Sequence, residues 1–153
     1  MLLHFANGTP FCSGSTPYAY RPPTQRENSP RILLTVQIEG VQTTAFVDTG
    51  GINLLCAPEI AARAGIDPMA GIPSEPLLWR SHRVHSTLHR VALTLPAAEG
   101  ESVEIEATAF VPHPDNQWLE DFPCILGMHG CLERLRFAVD PNNDTFYFGQ
   151  LSE

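Results

Sequence analysis

The chain has 153 residues, 43% of them hydrophobic and 17% charged, with nine cationic side chains and a formal net charge of -8. That size suits one domain with one good core, and the balance is that of a globular protein, not a disordered or fibrous one. Nucleic-acid binding is set aside because no basic cluster is dense enough to match phosphates, and no apolar run approaches the ~20 residues of a membrane span.

Residues 1–30 are rich in Gly, Pro, Ser, Thr and Tyr and lack apolar periodicity. They are predicted to run as an irregular N-terminal arm, with Phe5, Phe11, Tyr18 and Tyr20 available for packing. A folded domain is predicted over 31–150. It opens with a strand at "RILLTVQIE", a turn at Gly40 and a returning strand at "VQTTAFVD". "PEIAARAG" predicts a short helix, with Pro58 in its first turn and Gly65 as its stop. After the loop at 65–76, residues 77–95 alternate well enough for a long bent hairpin or two strands. "PAAEGE" is a turn, and "SVEIEATAFV" a clear period-two strand whose Glu104 and Glu106 form a solvated face with Glu101. The loop at 112–123 leads to a short buried strand at "CILG". "MHGCLERLR", residues 128–136, predicts a second short helix. "FAVD", "PNND" and "TFYFG" close the chain as a hairpin. The sum is mostly β with one or two short helices.

Four cysteines (Cys12, Cys56, Cys124, Cys131) lack CxxC spacing. The opening "MLLHFANGTPF" has neither a basic start nor a long enough apolar run for a secretory signal. A cytoplasmic protein with reduced thiols is the expectation.

The stretch "TTAFVDTGGINLL" asks why an apolar, β-branched strand should end on a carboxylate. Burying an unpaired charge costs several kcal/mol or shifts its pKa until it is neutral. Asp-Thr-Gly alone reads as a turn, because Asp and Gly are common turn residues. Two features alter that reading. Gly50 and Gly51 permit close backbone approach, and a second apolar-apolar-Gly unit, Ile125-Leu126-Gly127, follows much later.

With "AFVDTG", "LLWRSHRVHSTLHRVAL" and "CILGMHGCLERLRFAVD" in that order, residues 31–149 resemble the retropepsin-like aspartic proteases, the single-domain enzymes of the retroviral type. The resemblance implies a closed, β-barrel-like acid-protease domain that hydrolyses peptide bonds without metal or other cofactor. Two carboxylates a few ångströms apart share one proton and can both accept and donate it. One Asp-Thr-Gly per chain then implies a homodimer, with Asp48 from each copy on the two-fold axis. The resemblance further assigns Thr49 to a hydrogen bond across the dimer and Gly50 to close approach of peptide and water. Gly51, Ile52, Trp79, Ser81, His82 and Ile125 would contact a peptide or protein substrate bound as an added strand. The hairpin at 77–90 would be the flap, and "TFYFG" a strand of the dimer sheet.

Three departures stand out. The flap contains no glycine, Gly51-Ile52 replaces the usual small residue and acid after the motif, and Met128-His129-Gly130 follows Gly127. They motivate an alternative: a peptide-binding or scaffolding module on the same fold. A metal site on His82, His85 and His89 would need helical spacing, whereas strand spacing separates His82 from the other two. Cys124, His129 and Cys131 could join a distant ligand, but small buried residues beside a helix start explain them as well. Trp79 and Trp118 could line a groove or pack at an edge.

Overall fold

A computed structural model describes residues 2–79, 81–116 and 122–151. In chain order, β1 (Gly14–Pro17) and β2 (Ala19–Arg21) precede β3 (Arg31–Ile38) and β4 (Val41–Val47). Next come β5 (Leu54–Leu55), α1 (Pro58–Arg63), β6 (Ile72–Pro73), β7 (Leu77–Trp79) and β8 (His82–Val84). The long strands β9 (Ser86–Leu95) and β11 (Val103–Pro112) flank the short β10 (Glu99–Gly100). The chain ends with β12 (Cys124–Leu126), a 3-10 turn at Leu132–Arg134, β13 (Leu135–Asp140) and β14 (Thr145–Gln150).

Six strands, in the order β3-β4-β12-β5-β11-β9, close into a barrel. Closure comes from β3 meeting β9, with Gln37 opposite Thr94 and Ile38 opposite Leu93. The β3–β4 connection shows why the sequence hairpins there. Glu39 (φ +49°) and Gly40 (φ +80°) both take left-handed backbone, as a two-residue turn with twist matching its strands requires. Alternation then sends Leu34, Val36 and Ile38 inward, each essentially unexposed. A second sheet, β10-β1-β14-β13, packs Phe146 and Phe148 into the same apolar cluster as Leu34, Leu93 and Leu126. Burying each ring is worth about 1.5–3 kcal/mol, so the second sheet is part of the core.

Two expectations change here. The arm is not wholly irregular: β1 pairs with β14 and β10, and β2 pairs with β3. The partners of β1 lie far away in sequence, so local periodicity carries no trace of that pairing. The helix expected at 128–136 is reduced to one 3-10 turn. Gly130 sits at φ +75°, which interrupts helical backbone, and from Leu135 the chain is extended. β14, expected as a strand of the dimer sheet, is paired on one side by β1 and on the other by β13. Among the described residues no helix is long and apolar enough to cross a membrane.

Candidate active site

β4 carries the chain to Asp48 with Ala45 and Phe46 buried, so the carboxylate emerges at the end of a core strand. The Asp48 N–H donates to the Leu126 carbonyl at 2.9 Å, continuing the parallel pairing of Phe46 with Ile125 and Val47 with Leu126. The chain then turns sharply. Gly51 N–H donates to the Asp48 carbonyl at 3.0 Å, and Gly50 N–H donates to Asp48 Oδ1 at 3.0 Å. The turn reading of Asp-Thr-Gly is therefore correct as local geometry: the side chain caps its own turn. A Cβ at Gly51 would lie a tight 3.3 Å from Asp48 Oδ2, whereas one at Gly50 would make an ordinary 3.4 Å contact with Oδ1. Asp48, Thr49 and Gly50 are all exposed in the single chain.

The second half of the site is the segment after β12. Met128 N–H donates to the Gly51 carbonyl (2.8 Å), Asn53 N–H to the His129 carbonyl (2.7 Å), and Gly127 N–H to the Asn53 carbonyl (2.9 Å). Ile52 and His129 form a parallel bridge. The backbones approach so closely that a Cβ at Gly127 would lie 2.5 Å from Asn53 O and 2.8 Å from the carbonyl carbons of Gly51 and Ile52. The two Gly-containing units, some 75 residues apart in sequence, thus form one laced loop pair.

Three residues not singled out in the sequence reading hold this pair. Asn53 is buried at φ +59°, a backbone that Asn tolerates better than most residues. Glu133 Oε1 accepts from Gly130 N–H at 2.8 Å and faces His129 Nδ1 at 3.3 Å. Arg134 donates to the Glu106 carbonyl (2.9 Å) and to Thr108 Oγ1 (3.1 Å), tying the 3-10 turn to β11. The one readable signal was Glu133 three residues after Gly130, the spacing at which a carboxylate reaches back to cap a backbone N–H.

The expected contact residues are distributed unevenly. Gly51 and Ile52 lie in the Asp48 loop, where Ile52 is 58% exposed. Ile125 is half-buried, packed against Phe46 and Leu33 on one side and Leu55, Val84 and Phe110 on the other. β7 and β8 form a separate two-stranded hairpin with Trp79 opposite His82. Ser81 and His82 are exposed at its tip, and Ser81 takes φ +66°, left-handed backbone at a site without glycine. The hairpin is anchored at its base, where Leu77 and the buried Val84 join the Leu55–Phe110 cluster. Trp118 lies outside the described residues. A cavity of about 670 Å³ is lined by Leu33, Thr43, Thr44 and Pro58 beside the middle of β4, and its lining does not include Asp48.

The histidines fall on strands. His82 is on β8, His89 on β9, and His85 between them, its backbone bonded to the Asn116 side chain. Among the described residues no three His, Cys, Asp or Glu side chains are grouped to hold a metal. Cys124 and Cys131 are buried while His129 is exposed. Burial pushes the Cys131 thiol up to about 12.

His89 is different. The Thr87 hydroxyl donates to the Pro68 carbonyl (2.6 Å), so its oxygen accepts from His89 Nε2–H at 2.8 Å. Burial lowers the imidazole pKa below its ordinary 6.5, only partly opposed by Asp67. The unfolded chain therefore takes up this proton before the folded one does. Stability contributed by neutral His89 is present above about 6.5 and is lost as pH falls from there toward the lower folded value. His89→Gln is expected to flatten that part of the melting temperature against pH curve, measured by circular dichroism; an unchanged slope would place the effect elsewhere.

No family model matches this chain, and no curated protein matches it. Solved structures do. The chain is similar to a retropepsin-like aspartic protease from Rickettsia conorii, at 19% identity and a TM-score of 0.58, over 90% of this chain and 94% of that one. It is also similar to the retroviral protease-like domain of Ddi1 from Leishmania major, at 16% identity and a TM-score of 0.52, over 80% of this chain and 95% of that one. The fold is retropepsin-like.

Proposed function

We propose that this retropepsin-like chain is an aspartic endopeptidase, active as a homodimer in which two copies of Asp48 share one proton across a lytic water. The observation that supports it most directly is the lacing of the Asp48 loop to Gly127, which holds an exposed carboxylate in a fixed place at the end of a core strand. One carboxylate takes a proton from water as the oxygen attacks the scissile carbonyl carbon. The other gives its proton to the carbonyl oxygen. The tetrahedral intermediate then collapses, the C–N bond breaks, and a proton passes to the leaving amine. No metal or other cofactor enters these steps. Thr49 would bond across the two-fold axis. Gly50, Gly51 and Ile52 from below, and Trp79, Ser81 and His82 from the flap, would contact a peptide bound as an added strand, with Ile125 supporting the floor. The four unpaired cysteines accord with a reducing, cytoplasmic setting.

A dimeric site has a concentration signature. Cleavage of a mixed peptide library should rise with the square of chain concentration at high dilution and become linear once dimers saturate. First-order dependence at all dilutions would overturn the shared site. The second reading, a peptide-binding module without hydrolysis, is favoured by the Ser81 tip and the Gly51-Ile52 pair. Retention of library peptides with no new termini across pH 3–8, a span chosen to bracket carboxylate titration, would select it.

A further inference from the structure

If two copies of Asp48 must meet, some surface must bring them together, and the last strand is not available. β14 is sealed on both edges, whereas β13 is hydrogen-bonded only on its β14 side among the described residues. An open strand edge is a template for pairing, which proteins ordinarily blunt with proline, bulges or central charges. β13 reads Leu-Arg-Phe-Ala-Val-Asp, and its centre, Phe137-Ala138-Val139, has none of these guards.

The edge is also continuous with the carboxylate loop. Met128 N–H bonds to Gly51 O (2.8 Å), Leu132 N–H to Gly127 O (3.0 Å) and Glu133 N–H to Met128 O (3.0 Å), and β13 begins two residues after Glu133. β13 therefore follows directly from the segment laced to the Asp48 loop.

The strand is complementary to itself. Resting on the homodimer reading above, we propose that β13 pairs antiparallel with β13 of a second copy of this chain, centred on Ala138. In that register Arg136 stands opposite the partner's Asp140, and Phe137 stands opposite the partner's Val139; both pairs then occur twice. Arg136, Ala138 and Asp140 share one face by strand alternation, and Phe137 and Val139 share the other. Sliding by one residue sets Arg136 against the partner's Val139, and by two against the partner's Ala138, losing the charge pairs. The Arg136 guanidinium already lies over the Phe5 ring at 5.1 Å, which holds it on that face. Val139 is 36% exposed in the single chain and gains cover from the pairing. The Asn143 side chain, with the Asn142 and Asn143 N–H groups, holds the Asp140 carboxyl below its ordinary range, keeping it charged in mild acid.

Residues directly opposite in an antiparallel pair have Cα atoms about 4.5–5.5 Å apart, within the span of a disulfide. Ala138→Cys should therefore give a covalent dimer under mild oxidation. Asp140→Cys, whose opposite is Arg136, should not, and the wild type controls for the buried native thiols. Equal cross-linking of both variants, or none with Ala138→Cys in a protein that still sediments as a dimer, overturns the interface. Arg136→Glu should weaken dimerisation about tenfold, and adding Asp140→Arg should restore it; failure of that rescue also counts against the register. The two proposals separate cleanly. A dimer that cleaves peptides but does not cross-link at Ala138 overturns this interface and leaves the protease reading. A cross-linked dimer that cleaves nothing does the reverse.

Discussion

Asp48→Asn is expected to lower kcat/KM for peptide cleavage by about 10³-fold or more while leaving the fold intact. The stability half follows from exposure. Asp48 sits in solvent in the single chain, and among the described residues its side chain accepts one hydrogen bond, from Gly50 N–H to Oδ1. An asparagine oxygen accepts that bond equally well, so the melting temperature should hold within about 2 °C, the range of a surface substitution. The activity half follows from proton bookkeeping. General acid–base catalysis contributes about 10²–10⁴-fold, and an amide can neither hold the shared proton nor take one from water. Because each site needs both copies, the variant should also poison the wild type. In an equal mixture that has exchanged subunits, about a quarter of the dimers are wild-type pairs, and activity should fall to that level. Peptide cleavage by mass spectrometry, with melting curves on the same samples, checks both. Undiminished cutting by the asparagine form would end the aspartic assignment.

Gly127→Ala is expected to be the most damaging single methyl. Its Cβ would lie 2.5 Å from Asn53 O and 2.8 Å from the Gly51 and Ile52 carbonyl carbons, all backbone atoms in a hydrogen-bonded loop with no flexible side chain to yield. Overpacking of this kind costs about 3 kcal/mol or more, which in a domain of this size lowers the melting temperature by roughly 6–12 °C. Gly65→Ala is the control. Gly65 has φ +74° but nothing within 4 Å of its added Cβ, so only the left-handed backbone penalty of about 1 kcal/mol applies. Thermal melts of the pair separate crowding from conformation. If Gly127→Ala melts no lower than Gly65→Ala, the close approach of the two loops is wrong. A folded residue of the Gly127 variant should still have a displaced Asp48, and so lose cleavage beyond its unfolded fraction.

The parts of this fold legible in sequence are those written into neighbouring residues. β3, β4 and β11 announce themselves by alternation, and the Glu39–Gly40 turn by its glycine. The two halves of the candidate site were legible as separate fragments, Asp48-Thr49-Gly50 and Ile125-Leu126-Gly127, joined only by a family resemblance. Their actual contact runs through Asn53, Met128 and His129 backbone atoms, which any side chain could supply, so side-chain identity carries no mark of it. The same holds for β1, whose partners β10 and β14 are far away in sequence. The misread helix at 128–136 has the opposite cause. Its composition suits a helix, but Gly130 takes left-handed backbone to bring its carbonyl to Thr108 N–H at 2.8 Å, a tertiary demand that outweighs local preference. Arg134 escaped notice because its fork grips a main-chain carbonyl and a threonine on another strand.

The pairing of β1 with β14 also bears on how the molecule is made. Gly14 lies opposite Phe148 and Ser15 opposite Tyr147, so two segments from the far ends of the chain close one sheet. Phe146 and Phe148, which fill the core, follow every barrel strand in the chain. A growing chain that has not yet made β14 holds its barrel strands with the core incomplete. Such end-to-end contacts are slow to find and leave apolar surface open meanwhile. Folding of this domain should therefore wait for β14, and a nascent chain stalled before Thr145 should depend on chaperones until that strand emerges.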